Sequence, residues 1–218
     1  MKWKHSVITV IGHKVFWYGL LFCIVWTNSL IGTTDLKNWL IENTLTVISL
    51  LFLIFSYEKY KFSNFSYLLI CIFLCLHVYG SKYTYAHNNF GYWLQHIMHS
   101  SRNQYDRLVH FSFGLLLLLL LYYPLQEFLF KGFKMTKQIA LKIPVLIILS
   151  ASGLYEIIEW LVADIFFVEE GVSYLGTQGD VWDSQKDMVI AFFGVVIAAT
   201  LYYVYAKLIN TRKDSILI

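Results

Sequence analysis

Residues 106–121 read DRLVHFSFGLLLLLLL: an ionisable entry, then a leucine run from Leu115 to Leu121. With its apolar flanks the run extends over about 108–130, which meets the roughly 20 apolar residues a helix needs to cross a hydrocarbon core of about 30 Å. Lipid offers no partner to a free backbone N–H or C=O, so such a crossing has to be helical. The same helix opens with Asp106 and His110, four apart and therefore on one face. A membrane span with ionisable groups at its mouth is the theme of the whole chain.

Outward from this run, apolar stretches recur at 14–31, 39–56, 65–80, 140–163 and 188–206. The expected fold is therefore all-α: a polytopic bundle of six transmembrane helices forming a single integral membrane domain over residues 1–218. Composition agrees, with 58% hydrophobic, 18% aromatic and only 14% charged residues, against about 25% charged in soluble domains. The first stretch follows Lys2, Lys4 and Lys14 and lacks an A-x-A-like cleavage site, so it reads as an uncleaved helix that also serves for targeting. Cys23, Cys71 and Cys75 all fall within apolar runs and read as small buried residues, not as a disulfide or a metal pair. A nucleic-acid partner is not expected: there is no dense basic stripe, zinc finger or Gly-rich phosphate loop.

Orientation follows from the basic residues. With six spans, one side holds Lys2, Lys4, Lys14, Lys59, Lys61, Lys131, Lys134, Lys137, Lys142, Lys207, Arg212 and Lys213. The other side holds only Lys37, Lys82, Arg102, Arg107 and Lys186. Both termini are thus expected in the cytoplasm. The acids partition the other way: Glu58, Glu127 and Asp214 fall on the cytoplasmic side and all others toward the outside.

Those outer acids converge on one depth from different helices. Glu42 lies one turn into the second span, His77 near the outer end of the third, and Asp106 with His110 at the start of the fourth. Glu156 and Glu159 share a face near the outer end of the fifth, and Asp180, Asp183 and Asp187 lead into the sixth. An ionisable group at mid-helix costs about 2.5–3.5 kcal/mol on insertion scales, so pairing, water or a cation has to compensate. Imidazole nitrogen with carboxylate oxygen suits a divalent ion such as zinc or manganese, and an oxygen-rich subset suits magnesium. The expected metal ligands are His77, Asp106, His110, Glu159, Asp183 and Asp187, with Glu156 or Glu159 as general base toward a metal-activated water. Glu42, Tyr83, Arg102, Arg107, Asp180 and Lys186 would surround them. The segment Ser81–Tyr105, rich in aromatics and amides, is expected to hold a short interfacial helix around Phe90 to Met98. His87, His96 and His99 read as surface residues, and Gly171 to Gly179 as a turn before the last helix. No serine stands in a nucleophile-elbow sequence.

Three readings of the acidic layer stand side by side: a divalent-metal pocket acting on a lipid-linked or cell-envelope substrate, a proton- or cation-coupled transporter, and a structural or accessory bundle held by ion pairs. Whether the chain is an enzyme stays open at this point. Under transport the polar path should continue to the inner face; under surface chemistry an apolar floor should close beneath the pocket.

Five stretches carry a family resemblance: DLKNWLIEN (Asp35–Asn43), HVYGSKYTYA (His77–Ala86), RNQYDRLVHFSFG (Arg102–Gly114), YEIIEW (Tyr155–Trp160) and LGTQGDVWDSQKDM (Leu175–Met188). With them the chain resembles the YjdF-type family of bacterial inner-membrane proteins, which implies a helical integral membrane protein and brings no established activity. A looser similarity to VanZ-like membrane proteins would set Asp106/His110, Glu156/Glu159, and Asp183/Asp187 ahead of Gly194 in matching places, which implies work in the cell envelope.

Overall fold

The computed structural model describes residues 14–57, 62–167 and 175–216. Among them all regular structure is helical: α1 (Lys14–Leu30), α2 (Leu36–Ser56), α3 (Asn64–Ser81), α4 (Asn89–Ile97), α5 (Tyr105–Gly132), α6 (Lys137–Phe166) and α7 (Asp183–Ile216). The expectations at the N-terminus, at Lys59 and Lys61 and for most of the loop from Gly171 lie outside the described residues, as do the side chains of Glu127, Arg212, Lys213 and Asp214.

Local chemistry sets the helix starts. Asp35 caps α2 by accepting from the Asn38 N–H at 3.0 Å, and Ser63 caps α3 by accepting from the Ser66 N–H at 3.0 Å. Asn88 caps α4 by accepting from the N–H groups of Phe90 and Gly91. Each cap satisfies donors that the first helical turn leaves orphaned. Helix α7 begins at Asp183, well before the apolar stretch expected from 188. A hydropathy window discards a polar first turn, whereas an acid there is favoured by the helix dipole. The early start puts Asp183 and Asp187 on one face.

Among the described residues, four helices are long and apolar enough to cross a membrane: Leu36–Phe55, Asn64–Ser81, Lys142–Phe166 and Asp183–Tyr205. The interiors of these helices do not account for their apolarity. Leu146, Leu154, Ile157, Trp160, Phe192 and Phe193 are all exposed on α6 and α7, more apolar surface than a water-soluble protein leaves uncovered. Lipid is the solvent that suits it.

The chain divides into two compact units, Met1–Val109 with Glu159–Val181, and His110–Ile158 with Trp182–Ile218. In the first, Phe22 of α1 packs with Cys71, Leu74 and Val78 of α3, and Leu50 of α2 lies against them. Polar bonds tie the same helices: the Trp26 indole donates to Asn43 Oδ1 at 2.6 Å, Asn43 Nδ2 donates to Ser81 Oγ at 3.1 Å, and the Trp39 indole donates to Ser29 Oγ at 3.0 Å. In the second, Leu118, Ile148, Val195 and Ala198 form the core. The cysteines are free thiols, and the expected interfacial helix is α4, whose Gly91 is buried while Phe90, Tyr92, Trp93 and Ile97 are exposed.

Candidate functional site

Three ladders at helical spacing build the polar end of the second unit. Along α6 the buried residues Glu156, Ser152, Ile148 and Pro144 follow one another at four-residue intervals; along α7, Asp183, Asp187, Ala191, Val195 and Ala198 do much the same. On α5, His110, Gly114 and Leu118 share a face. Read along each helix away from the acidic end, the ladder passes from ionisable to small to fully apolar.

The small residues close the helices on one another. A Cβ added at Gly114 would collide with the Ala191 carbonyl oxygen, and one added at Gly194 would collide with the Phe111 carbonyl oxygen. Helices α5 and α7 therefore meet backbone to backbone. One turn further lies the core of Leu118, Ile148, Val195 and Ala198, so the polar layer stands on a packed apolar floor.

On that floor His110 Nδ1 lies 3.6 Å from Glu156 Oε1, and the Tyr155 ring meets the imidazole edge-on with centroids 5.8 Å apart. His110, Glu156, Asp183 and Asp187 are all buried. Helices α5 and α6 run unbroken past His110 and Glu156, so Asp106 stands one turn before the imidazole and Glu159 one turn beyond Glu156. Within the second unit, His110, Glu156 and Asp187 are buried candidate ligands. These acidic and histidine groups could hold a metal ion. The Ser152 hydroxyl, one turn from Glu156 on the same face, is fully buried and has no hydrogen-bond partner among the described residues.

The first unit carries a different arrangement. Arg107 Nη2 lies 3.4 Å from Asp180 Oδ2, Arg102 Nη1 lies 4.0 Å from the same oxygen, and Arg102 Nη2 lies 3.6 Å from Asp106. Both guanidinium groups are buried. Around them Arg102 donates to the Gly176 carbonyl at 3.4 Å, the Asn103 N–H donates to Gln178 Oε1 at 2.8 Å, and Asn103 Nδ2 donates to the Asn88 carbonyl at 2.8 Å. The turn that supplies the first two acceptors has Gly176, Gln178 and Gly179 at positive φ, which the two glycines adopt without a Cβ penalty.

His77 is held separately. Its Nε2 lies 3.2 Å from the Glu42 carbonyl and its Nδ1 lies 2.6 Å from the Tyr85 hydroxyl. A carbonyl only accepts, so Nε2 bears the proton and Nδ1 accepts from the phenol. Both ring nitrogens are thereby engaged, and His77 falls in no candidate ligand group among the described residues. Burial pushes the Tyr85 phenol well above its ordinary pKa, and the charges of Glu42 and Asp106 add to the rise. Tyr105 donates to the Leu76 carbonyl at 2.8 Å.

The remaining expected residues are placed as follows. Glu42 is buried on α2. Tyr83 packs edge-on against Tyr79, with the Lys82 ammonium over its ring. Lys186 follows the turn at Trp182, to whose carbonyl its backbone N–H donates. The His87 ring lies 3.1 Å from the Tyr92 hydroxyl on an exposed surface. Sequence reasoning missed Ser152, Tyr155 and the contribution of Gly114. The signal for the first was its four-residue offset from Glu156, which only gains meaning once α6 is known to bury that face.

Comparison with known proteins gives a family and one relative. A family described as a predicted membrane protein, DUF2238, matches residues 14–208. The inner membrane protein YjdF of Escherichia coli strain K12 is 33% identical over 168 residues, covering 76% of this chain and 78% of that protein. No solved structure matches the chain.

Proposed function

We propose a divalent-metal role for this chain, which belongs to the DUF2238 family of predicted membrane proteins and is a multi-pass protein of the bacterial inner membrane. In this reading α1, α2, α3, α5, α6 and α7 all span, both termini lie in the cytoplasm, and the layer at His110, Glu156 and Asp187 opens outward. His110 supplies nitrogen and Glu156 and Asp187 supply oxygen, a donor set suited to zinc or manganese, with Asp106 and Glu159 next along α5 and α6. A cation held there would make a bound water acidic, and Glu156 or Glu159, whichever is not a ligand, would serve as base toward a lipid-linked or cell-envelope substrate.

The observation that carries the proposal is the position of the His110–Glu156 pair, 3.6 Å apart, directly on the Gly114–Gly194 crossing and the dry core beneath it. The alternative of a proton- or cation-coupled transporter needs polar groups continuing along α5, α6 and α7, and their ladders turn apolar within two turns. A structural role has its own support, though elsewhere: the pairing of Asp180 with Arg107 and Arg102 is what an ion-pair brace requires.

Equilibrium dialysis of the purified protein against zinc, manganese and magnesium, followed by elemental analysis, tests the metal. Wild type should retain roughly one ion per chain, as a single site of this donor set would. His110→Ala and Glu156→Gln should lose it while their helical content stays unchanged. Equal, negligible metal in all three proteins removes the proposal.

A further inference from the structure

A cleft of about 370 Å³ opens within the first unit between α1, α2 and α3, at the end where α1 begins. Its walls are almost wholly apolar, among them Phe22, Leu50, Ile54, Ile70 and Leu74. The volume falls in the ordinary range of ligand pockets, about 300–1,000 Å³. Nothing in the metal proposal uses this space.

Gly19 marks it as a space kept open. Glycine in a helix interior costs about 0.5–1 kcal/mol relative to alanine, so it needs a reason. Gly80, Gly91, Gly114 and Gly194 have one: a Cβ at any of them would strike a neighbour. Gly19, in the middle of α1 and lining the cleft, would meet nothing within 4 Å. Its missing side chain makes room for something other than the chain's own atoms.

Chemistry at the cleft's end indicates the occupant. Tyr18, Tyr57 and Tyr67 line it there, the last two with ring centroids 6.0 Å apart. Tyrosine is enriched at headgroup level, where its ring is in hydrocarbon and its hydroxyl in water. Lys14 is exposed one turn before Tyr18 on the same face of α1, within reach of a lipid phosphate. We propose that this cleft binds an acyl chain of an anionic phospholipid, seated over Gly19 with its phosphate at Lys14 and Tyr18. The surrounding bilayer supplies such chains at high concentration, and the burial of each methylene favours the site by the usual apolar transfer.

The test uses the full-length protein in vesicles of phosphatidylcholine and phosphatidylglycerol, with tracer lipid of either headgroup bearing a diazirine near the acyl terminus. Photolabelling should concentrate on Leu50, Ile54 and Ile70, above the lipid-exposed Leu146 and Leu154 of α6, and should favour phosphatidylglycerol. Gly19→Phe should lower labelling of the cleft about tenfold, the equivalent of losing the burial of about two methylenes, while labelling of α6 stays the same. Lys14→Gln should remove the headgroup preference and leave acyl labelling in place. Should Gly19→Phe not purify in folded form, Ile54→Trp at the exposed rim serves the same purpose. Uniform labelling of all apolar helices overturns the proposal, as does labelling indifferent to the cleft variants. Spontaneous disulfide-linked dimers of Gly19→Cys would overturn it too, by assigning the space to a second copy.

Discussion

Two layers of carboxylates, one in each unit, differ in the group that faces them. In the first, Asp180 faces the guanidinium groups of Arg107 and Arg102 at 3.4 and 4.0 Å. In the second, Glu156 faces the imidazole of His110 at 3.6 Å. A guanidinium is charged at any pH the protein meets and has no lone pair to give. An imidazole can be neutral and can bind a metal through nitrogen. The arginine layer is complete as a brace, whereas the histidine layer retains the chemistry of a ligand set. Carboxylates in a membrane protein therefore reveal little until the cation opposite them is known.

If that contrast is right, breaking the arginine layer should destabilise the protein most and leave its metal content alone. Arg107→Ala removes the guanidinium 3.4 Å from the half-buried Asp180 while Arg102 stays at 4.0 Å, and the loss of a hydrogen bond between charged groups typically costs about 1.5–3 kcal/mol. Thermal unfolding in detergent should register this as the largest loss among the variants considered, with dialysed metal unchanged. A parallel loss of metal would merge the two layers into one functional unit. Gly114→Ala comes next. The Ala191 carbonyl that its Cβ would strike is backbone and cannot step aside, so about 1–3 kcal/mol of overpacking is expected, read by the same melt. If the polar layer depends on that floor, metal retention should fall with it.

The helical architecture was legible from composition and apolar stretches because lipid imposes one secondary structure on whatever crosses it. The cap at Asp35 and the early start at Asp183 were less so, since hydropathy is blind to a polar first turn. Within the site, Asp106/His110 and Glu156/Glu159 could be paired from spacing alone, as each pair lies on one helix. Assigning Arg102 and Arg107 to Asp180 could not, because their contact joins α5 to a turn more than seventy residues away. His77 shows the same limit. Its position near a helix end suggested a ligand, but its fate is decided by the Tyr85 hydroxyl and the Glu42 carbonyl, one of them on a different helix.

Ser152→Ala separates the two meanings of the second layer at small cost. The hydroxyl is buried without a hydrogen-bond partner among the described residues, so its removal should leave stability unchanged or raise it by about 1 kcal/mol. If the hydroxyl faces a bound ion or its water, dialysis should show a weaker metal affinity in the same variant. Gained stability with unaltered metal binding would make Ser152 a packing flaw and narrow the site to its ionisable groups.

The smallest effect belongs to the first unit and appears only in alkali. Tyr85 is held above its ordinary pKa by burial and by the charges of Glu42 and Asp106. Below pH 10 its phenol is protonated in the folded and the unfolded chain, and its contribution is fully present. Above pH 10 the unfolded chain releases a proton that the folded one keeps, so stability falls with rising pH until the folded phenol ionises. The loss is about 0.8 kcal/mol at pH 10.5 and steepens toward about 1.4 kcal/mol per pH unit. Tyr85→Phe should be less stable at pH 8, having lost its bond to His77 Nδ1, yet its melting temperature should decline more gently than that of wild type between pH 9.5 and 11. Equal slopes in the two proteins would mean that Tyr85 ionises without cost in the fold, and that the packing around His77 is wetter than its burial implies.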